Sequence, residues 1–293
     1  MARKQYEVDY HLICAIYFSD NGPSGGDLAQ LWTALEVLGK LPVEMSVACK
    51  GDTEASPLRH SMLGSPLLSE VLVSKADGVI SAGASSVRPD ARNAILDSDL
   101  NFRYSRNETW DGQIVPASLR FSVSGQLLEQ VGSGSFLALL NRLIEVADRY
   151  TPITGLVDLA RPSDAFAGMV YGTTWPRTAP LARWVDHLNW IYSGPSKADK
   201  LSGVYWGNYF GTRQLDRLGG QERFWHVCTR NARNHDGSPN AHVVQLTNGL
   251  FVTLCLDPVD CRPDSPVGPH PAAEANLKWL IRELGPSGIL NPW

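Results

Sequence analysis

Hydrophobic positions along this chain switch repeatedly between a helical period and short apolar runs of strand length. Tyr10–Phe18 is the first such run and predicts a strand. Four stretches then carry the helical period. In the first, Leu28, Leu31, Trp32, Leu35 and Leu38 share a face, with Asp27 as the expected cap and Gly39 near the end. The second places Phe136, Leu140, Leu143 and Ala147 together, flanked by Leu139 and Ile144. The third sets out Leu181, Trp184, Val185, Leu188 and Ile191 before Gly194-Pro195. The fourth opens at Pro271, repeats through Ala273, Leu277, Leu280, Ile281 and Leu284, and stops at Gly285-Pro286.

Asn248-Gly249 lies between Val243–Leu246 and Phe251–Leu256, a strong hairpin signal because both turn residues tolerate positive φ. Asp111-Gly112 sits in a comparable place between Phe102–Tyr104 and Leu119–Val123. About 21 residues run from Gly112 to Ser133 before the second helix, and about 21 from Gly249 to His270 before the fourth. Each half therefore reads strand, helix, middle section, hairpin, helix, with the joint at Tyr150-Thr151-Pro152. This predicts an α+β fold of two similar halves, residues 1–150 and 151–293, each a mostly antiparallel sheet with helices packed on one face. Leu41–Asp97, with Pro57, Pro66, Pro89 and short runs at Val71–Val73 and Val79–Ile80, is expected to hold one or two strands and long loops. Arg262–Pro271, with four prolines, predicts a stiff connection.

Leu201–Gly220 has the most unusual composition: two tyrosines, a tryptophan, a phenylalanine and five glycines around Asn208. Val204-Tyr205-Trp206 predicts a short strand, broken by Gly207 and Gly211. Thr212 then caps a short helix with Leu215 and Leu218 on its buried side, ended by Gly219-Gly220. Strand alternation sends Tyr205 and Trp206 to opposite sides. Trp206 is expected to pack in the core, with Tyr205, Asn208 and Tyr209 nearer the surface.

At 293 residues with 43% hydrophobic and 19% charged positions, the chain can build a substantial core. Its net charge of −4 argues against a nucleic-acid-binding surface. Glu7 and Asp9 stand where a signal peptide would be apolar, and Leu12–Phe18 falls far short of the roughly 20 residues that span a bilayer. Five scattered cysteines with no Cys-x-x-Cys fit reduced, buried thiols in a cytoplasmic protein.

Few patterns point to catalysis. His226, Cys228, His235 and His242 could be imagined as a metal site, His226 and Cys228 falling on one side of a strand. They lack the tight ligand pairs usual for zinc. Gly132-Ser133-Gly134-Ser135-Phe136 and Gly78–Ser85 approach a nucleophile elbow without completing one. Gly22-Pro23-Ser24-Gly25-Gly26 lacks the lysine of a phosphate loop. Asp158, Asp164, Asp186, Asp216, Asp257 and Asp260 show no spacing that selects a catalytic pair, and turn or cap roles suit them. No metal or cofactor is expected. Trp175-Pro176-Arg177 ahead of the third helix, and Arg213 and Arg217 after the aromatic turn, have the residue types that dominate protein–protein contacts.

Those residues carry a resemblance. Trp175-Pro176-Arg177, then Gly203-Val204-Tyr205-Trp206-Gly207-Asn208-Tyr209-Phe210-Gly211, then Leu215-Asp216-Arg217-Leu218-Gly219-Gly220 together resemble the TsiV-type immunity family, between about Trp175 and Gly220. The resemblance implies a cytoplasmic, non-enzymatic protein that binds and neutralises a cognate type VI secretion toxin, a nuclease in known cases. Trp175, Arg177, Tyr205, Asn208, Tyr209, Arg213 and Arg217 are then the candidate toxin contacts. The alternative is a metal-dependent hydrolase using the His226–His242 region.

Overall fold

β1, His11–Phe18, is buried at all of its positions, and this accounts for its unbroken apolar run. A strand covered on both faces does not alternate. It pairs antiparallel with β8 (Ala117–Ser124) on one side and with β9 (Pro152–Ala160) on the other. The computed structural model describes residues 11–19, 22–35, 42–49, 58–63, 72–73, 78–86, 99–110, 113–160, 200–201, 203–258 and 271–290. The expected third helix, the Asp111-Gly112 turn, most of the proline-rich connection, and Tyr10, Leu38 and Gly39 lie outside them.

Beyond β8 the sheet continues through β5 (Leu100–Ser105), β4 (Val79–Ser86), β2 (Pro42–Cys49) and β3 (Leu58–Leu63). Beyond β9 it continues through β10 (Gly207–Gly211), β12 (Gly249–Thr253) and β11 (Val243–Gln245). The described strands of this ten-stranded sheet pair antiparallel throughout. A separate hairpin, β6 (Glu108–Trp110) with β7 (Gln113–Val115), carries the chain from β5 to β8.

The α+β class is as the periodicity indicates, but the expectation of one sheet per half is corrected: a single sheet runs across residue 150 through the β1–β9 ladder. The hairpin correspondence also fails. β8 pairs directly with β1, whereas β10 stands between β12 and β9. The equal spacings that suggested duplication therefore join elements of unlike topology. The Leu41–Asp97 stretch supplies three strands, not one or two. One of them, β4, is built from small residues that carry little hydrophobic signal.

The helices lie on both faces. α1 (Gly25–Leu35) and α3 (Ser133–Asp148) cover the face that carries Leu12, Cys14, Ile16 and Phe18. Trp32 meets Phe102 edge-on there, with ring centroids 6.0 Å apart. Ser24, not Asp27, caps α1: its Oγ accepts from Asp27 N at 3.2 Å and donates to the Asp27 carboxylate at 2.7 Å. α2 (Gly125–Val131) is a short helix capped by Ser124, whose Oγ accepts from Leu127 N. It had no signature in the periodicity.

α4 (Thr212–Arg217) is the short helix expected after the aromatic segment, though Gly211 is its cap, and Gly219 (φ +88) and Gly220 (φ +100) end it as anticipated. α5 (Gln221–Asn231) lies on the opposite face of the sheet from α3. Its Phe224 meets Phe210 edge-on at 5.1 Å. α6 (Pro271–Leu284) has the bounds its pattern suggests and runs into a 3₁₀ turn at Gly285–Ser287.

Three glycines of the second half are set by close approach rather than by backbone angle. Gly207 and Gly211 are the ends of β10 and do not break it; a Cβ on Gly207 would lie 2.7 Å from Phe251 Cζ, and one on Gly211 would lie 2.5 Å from the Pro152 carbonyl. Gly249 has no positive φ. A Cβ there would overlap the Tyr209 ring and its hydroxyl and come within 2.8 Å of the Phe210 carbonyl. The hairpin turn thus centres on Thr247-Asn248, with Leu246 N donating to Gly249 O, and glycine at 249 makes room for an aromatic on the next strand. Gly249→Ala should therefore cost about 1–3 kcal/mol of stability, whereas Gly134→Ala in α3, with open space around it, should be neutral or stabilising. Urea unfolding of the two variants reads the contrast.

Candidate interaction surface

The aromatic segment is an internal joint. Asn208 is buried, and its amide closes a turn by accepting from Tyr205 N at 2.9 Å and donating to Tyr205 O at 2.7 Å. Tyr205 and Trp206 are both buried, because they precede β10 and are not alternating strand residues. Trp206 packs as expected, with its indole N–H donating to Cys255 O at 3.1 Å. Tyr209 sends its hydroxyl to Asp148 Oδ1 at 2.6 Å.

Tyr205, Asn208 and Tyr209 are accordingly corrected from surface positions to core ones: both faces of β10 are covered, and their polar atoms have partners inside the chain. Arg213 and Arg217 are exposed on α4. Trp175 and Arg177 lie outside the described residues, so their meeting with Arg213 has no geometry to report.

Asp148 is the hub of this joint. It ends α3, is buried, and besides Tyr209 it accepts from Asn248 N at 3.0 Å, while its own carbonyl accepts from Asn248 Nδ2 at 2.8 Å. Thr212 Oγ1 donates to Asn248 O, and Gln221 Nε2 donates to Leu246 O at 2.6 Å and to Gly249 O at 3.1 Å. The β11–β12 hairpin is thus held by a carboxylate about a hundred residues earlier in the chain. Burial raises the Tyr209 phenol above its ordinary range, and the neighbouring Asp148 adds to the effect; the phenol therefore stays protonated and donates. No spacing in the sequence marks Asp148, since its partners come from β10 and from a turn distant in the chain.

Asp158 lies on β9, buried. Its Oδ1 accepts from Leu159 N at 2.9 Å. Burial pushes its carboxyl up to about 7, opposed by the backbone hydrogen bonds from Leu159 and Trp206.

The histidine and cysteine candidates do not converge. His226 and Cys228 stand on α5, a helix and not the strand that spacing suggested. Two positions apart there, His226 faces solvent beside Trp225 (ring centroids 4.7 Å apart), and Cys228 points into the core. Burial raises the Cys228 thiol, with Glu283 adding to it. His235 sits in an exposed loop, and burial lowers the pKa of His242. Among the described residues no three His, Cys, Asp or Glu side chains cluster as metal ligands. The outer surface here is instead lined by Arg213, Arg217, Glu222, His226, Arg230 and the loop 233–239. Arg223 reaches Glu283 at 3.5 Å between α5 and α6.

No family model matches the chain, and no curated protein matches it. Among solved structures it is similar to a Pseudomonas aeruginosa T6SS protein, PA0821. The TM-score is 0.61 and the identity 16%, covering 94% of this chain and 73% of that one. At this identity the likeness is one of fold.

Two outcomes follow from the buried carboxylates. Asp148→Ala leaves the Tyr209 hydroxyl and Asn248 N without an acceptor and should cost roughly 2–6 kcal/mol, about 1–3 for each orphaned group, measured by thermal or urea unfolding. Asp158 retains a proton in the folded state between its ordinary 3.8 and about 7. Stability from this group should be fullest below pH 4, fall as pH rises through that window, and level off above it. Asp158→Asn should remove that slope in a plot of unfolding free energy against pH.

Proposed function

We propose that this chain is an immunity protein: it binds one cognate type VI secretion toxin in the cytoplasm of the producing cell and neutralises it without chemistry of its own. The observation that carries this reading is the fold likeness to a T6SS protein over 94% of the chain. The resemblance of the segment between Trp175 and Gly220 to the TsiV-type immunity family points the same way.

With Tyr205, Asn208 and Tyr209 inside, toxin contact is assigned to exposed side chains, Arg213 and Arg217 among them. An interface of roughly 1,600 Å² with a few arginine or aromatic anchors suffices for nanomolar affinity. The buried aromatic segment has a different task, which is to keep α4 and α5 rigid so that their outer residues meet the partner already in place.

The test is co-expression with candidate type VI secretion toxins, one at a time. Growth should be rescued, and the two proteins should co-purify as a defined complex. Arg213→Ala with Arg217→Ala should weaken binding by about 2 kcal/mol or more if these are anchors, with the melting temperature unchanged. Unprotected cells, or turnover of a small-molecule substrate by the purified protein, would overturn the assignment.

A further inference from the structure

β11 ends the sheet on its C-terminal side, and among the described residues no strand pairs with its outer edge. The parity of its ladder is fixed at both ends. Thr253 N donates to His242 O at 3.0 Å, and Leu246 N donates to Gly249 O at 3.0 Å. Hydrogen-bonded pairs alternate with non-bonded ones in an antiparallel ladder, so Val244 bonds inward, opposite Phe251. Val243 and Gln245, opposite Val252 and Leu250, therefore turn their backbone N–H and C=O groups outward.

This edge lacks the usual guards of an open strand. Residues 241–247 include no lysine, no acid and no proline, and the β11–β12 register runs without a bulge. Both of its faces are apolar. Phe210 meets Phe224 of α5, and cross-strand pairing carries that face through Leu250 to Gln245 and Val243. Gln221 of α5 reaches the Leu246 and Gly249 carbonyls, and Trp225 lies one turn further on the same side of the helix. Val244 and Leu246 belong to the opposite face. Trp225, Val243, Val244 and Leu246 are only partly buried, and Gln245 is exposed.

We propose that β11 is a dimerisation edge, occupied by β11 of a second copy of this chain in antiparallel register. The occupant has to be an extended strand, because the edge offers backbone donors and acceptors two residues apart. It also has to be short, uncharged and apolar on both faces. β11 meets each of these conditions itself. With a two-fold axis normal to the sheet and passing between the two Val244 residues, Val243 of each copy forms a hydrogen-bonded pair with Gln245 of the other. The two Val244 residues then meet as a non-bonded pair, with Cα atoms about 4.5 Å apart. The same axis keeps both α5 helices on one face of the joined sheet and turns their Trp225 sides toward each other. Three residues of strand supply few hydrogen bonds, so the tryptophans supply most of the buried apolar area. An unrelated strand would match this pattern by coincidence; a second copy matches it by symmetry.

The experiment measures the mass in solution of the wild type, Gln245→Pro and Gln245→Ala by sedimentation from roughly 1 to 500 µM, together with melting temperature. Proline at 245 removes an N–H that faces outward, so the monomer loses no ladder bond, while the dimer loses one donor from each copy. The wild type should pass from monomer to dimer as concentration rises. Gln245→Pro should dimerise at least about tenfold more weakly at an unchanged melting temperature. Gln245→Ala, which keeps the N–H, should dimerise as the wild type does. Amide exchange of the wild type gives a second readout: Val243 and Gln245 should exchange more slowly at high concentration, and Val244 equally slowly at both.

A wild type that stays monomeric over the whole range would overturn the proposal. A dimer that persists undiminished in folded Gln245→Pro would place the interface elsewhere and overturn it too. If Gln245→Pro does not fold, the exchange measurement decides alone, and rates at Val243 and Gln245 that ignore concentration overturn the proposal. Protection of those two amides that appears only on adding a different protein would give the edge to a partner's strand, with the same result. None of these outcomes bears on toxin neutralisation, which is tested separately by rescue of growth.

Discussion

Everything in this fold depends on the ladder between β1 and β9. The register runs from His11 opposite Ala160 to Phe18 opposite Pro152, with an irregularity at Tyr17. It joins the six strands on the N-terminal side to the four on the C-terminal side in one sheet. Because β1 is then central, it must be apolar on both faces. The sheet carries layers on both faces, with α1 and α3 on one and, at the end formed by β10, β12 and β11, α5 on the other. Asp148, at the end of α3, is brought beside Tyr209 and Asn248 by the same pairing, and its carboxylate locks the later hairpin to the earlier helix.

Sequence reading succeeds here where one element carries its own signal. α3 and α6 have long apolar stripes and clear ends, and β1 has an unbroken apolar run. Gly219-Gly220 stops α4 with positive φ. It fails where the cause is tertiary. Gly207, Gly211 and Gly249 look like turn residues, yet each is small because an aromatic ring or a carbonyl of a neighbouring strand occupies the space a side chain would need. α5 was hidden because only Phe224 and Cys228 of its residues are deeply buried, which leaves too thin a stripe to reveal a helical period.

The candidate site shows the same division. The motif at Gly203–Gly211 was found because its composition is rare, but rarity came from packing demands. Its aromatic residues serve both faces of one short strand, Tyr209 toward α3 and Phe210 toward α5. The arginines beyond it were legible as surface residues since nothing in the pattern of α4 called for burial there.

The chain connectivity of the sheet bears on how this protein is made. β1 leaves the ribosome well ahead of its second neighbour, β9, which follows some 140 residues later. Until that strand is synthesised, one edge of β1 offers a row of unpaired backbone groups flanked by apolar side chains, the condition that invites association between nascent chains. β8, α2 and α3 emerge just before β9 and can shield one edge and one face in the interval. Non-local closure of this kind makes the final pairing slow, so the half that ends at Arg149 must stay soluble while it waits for its partner strand.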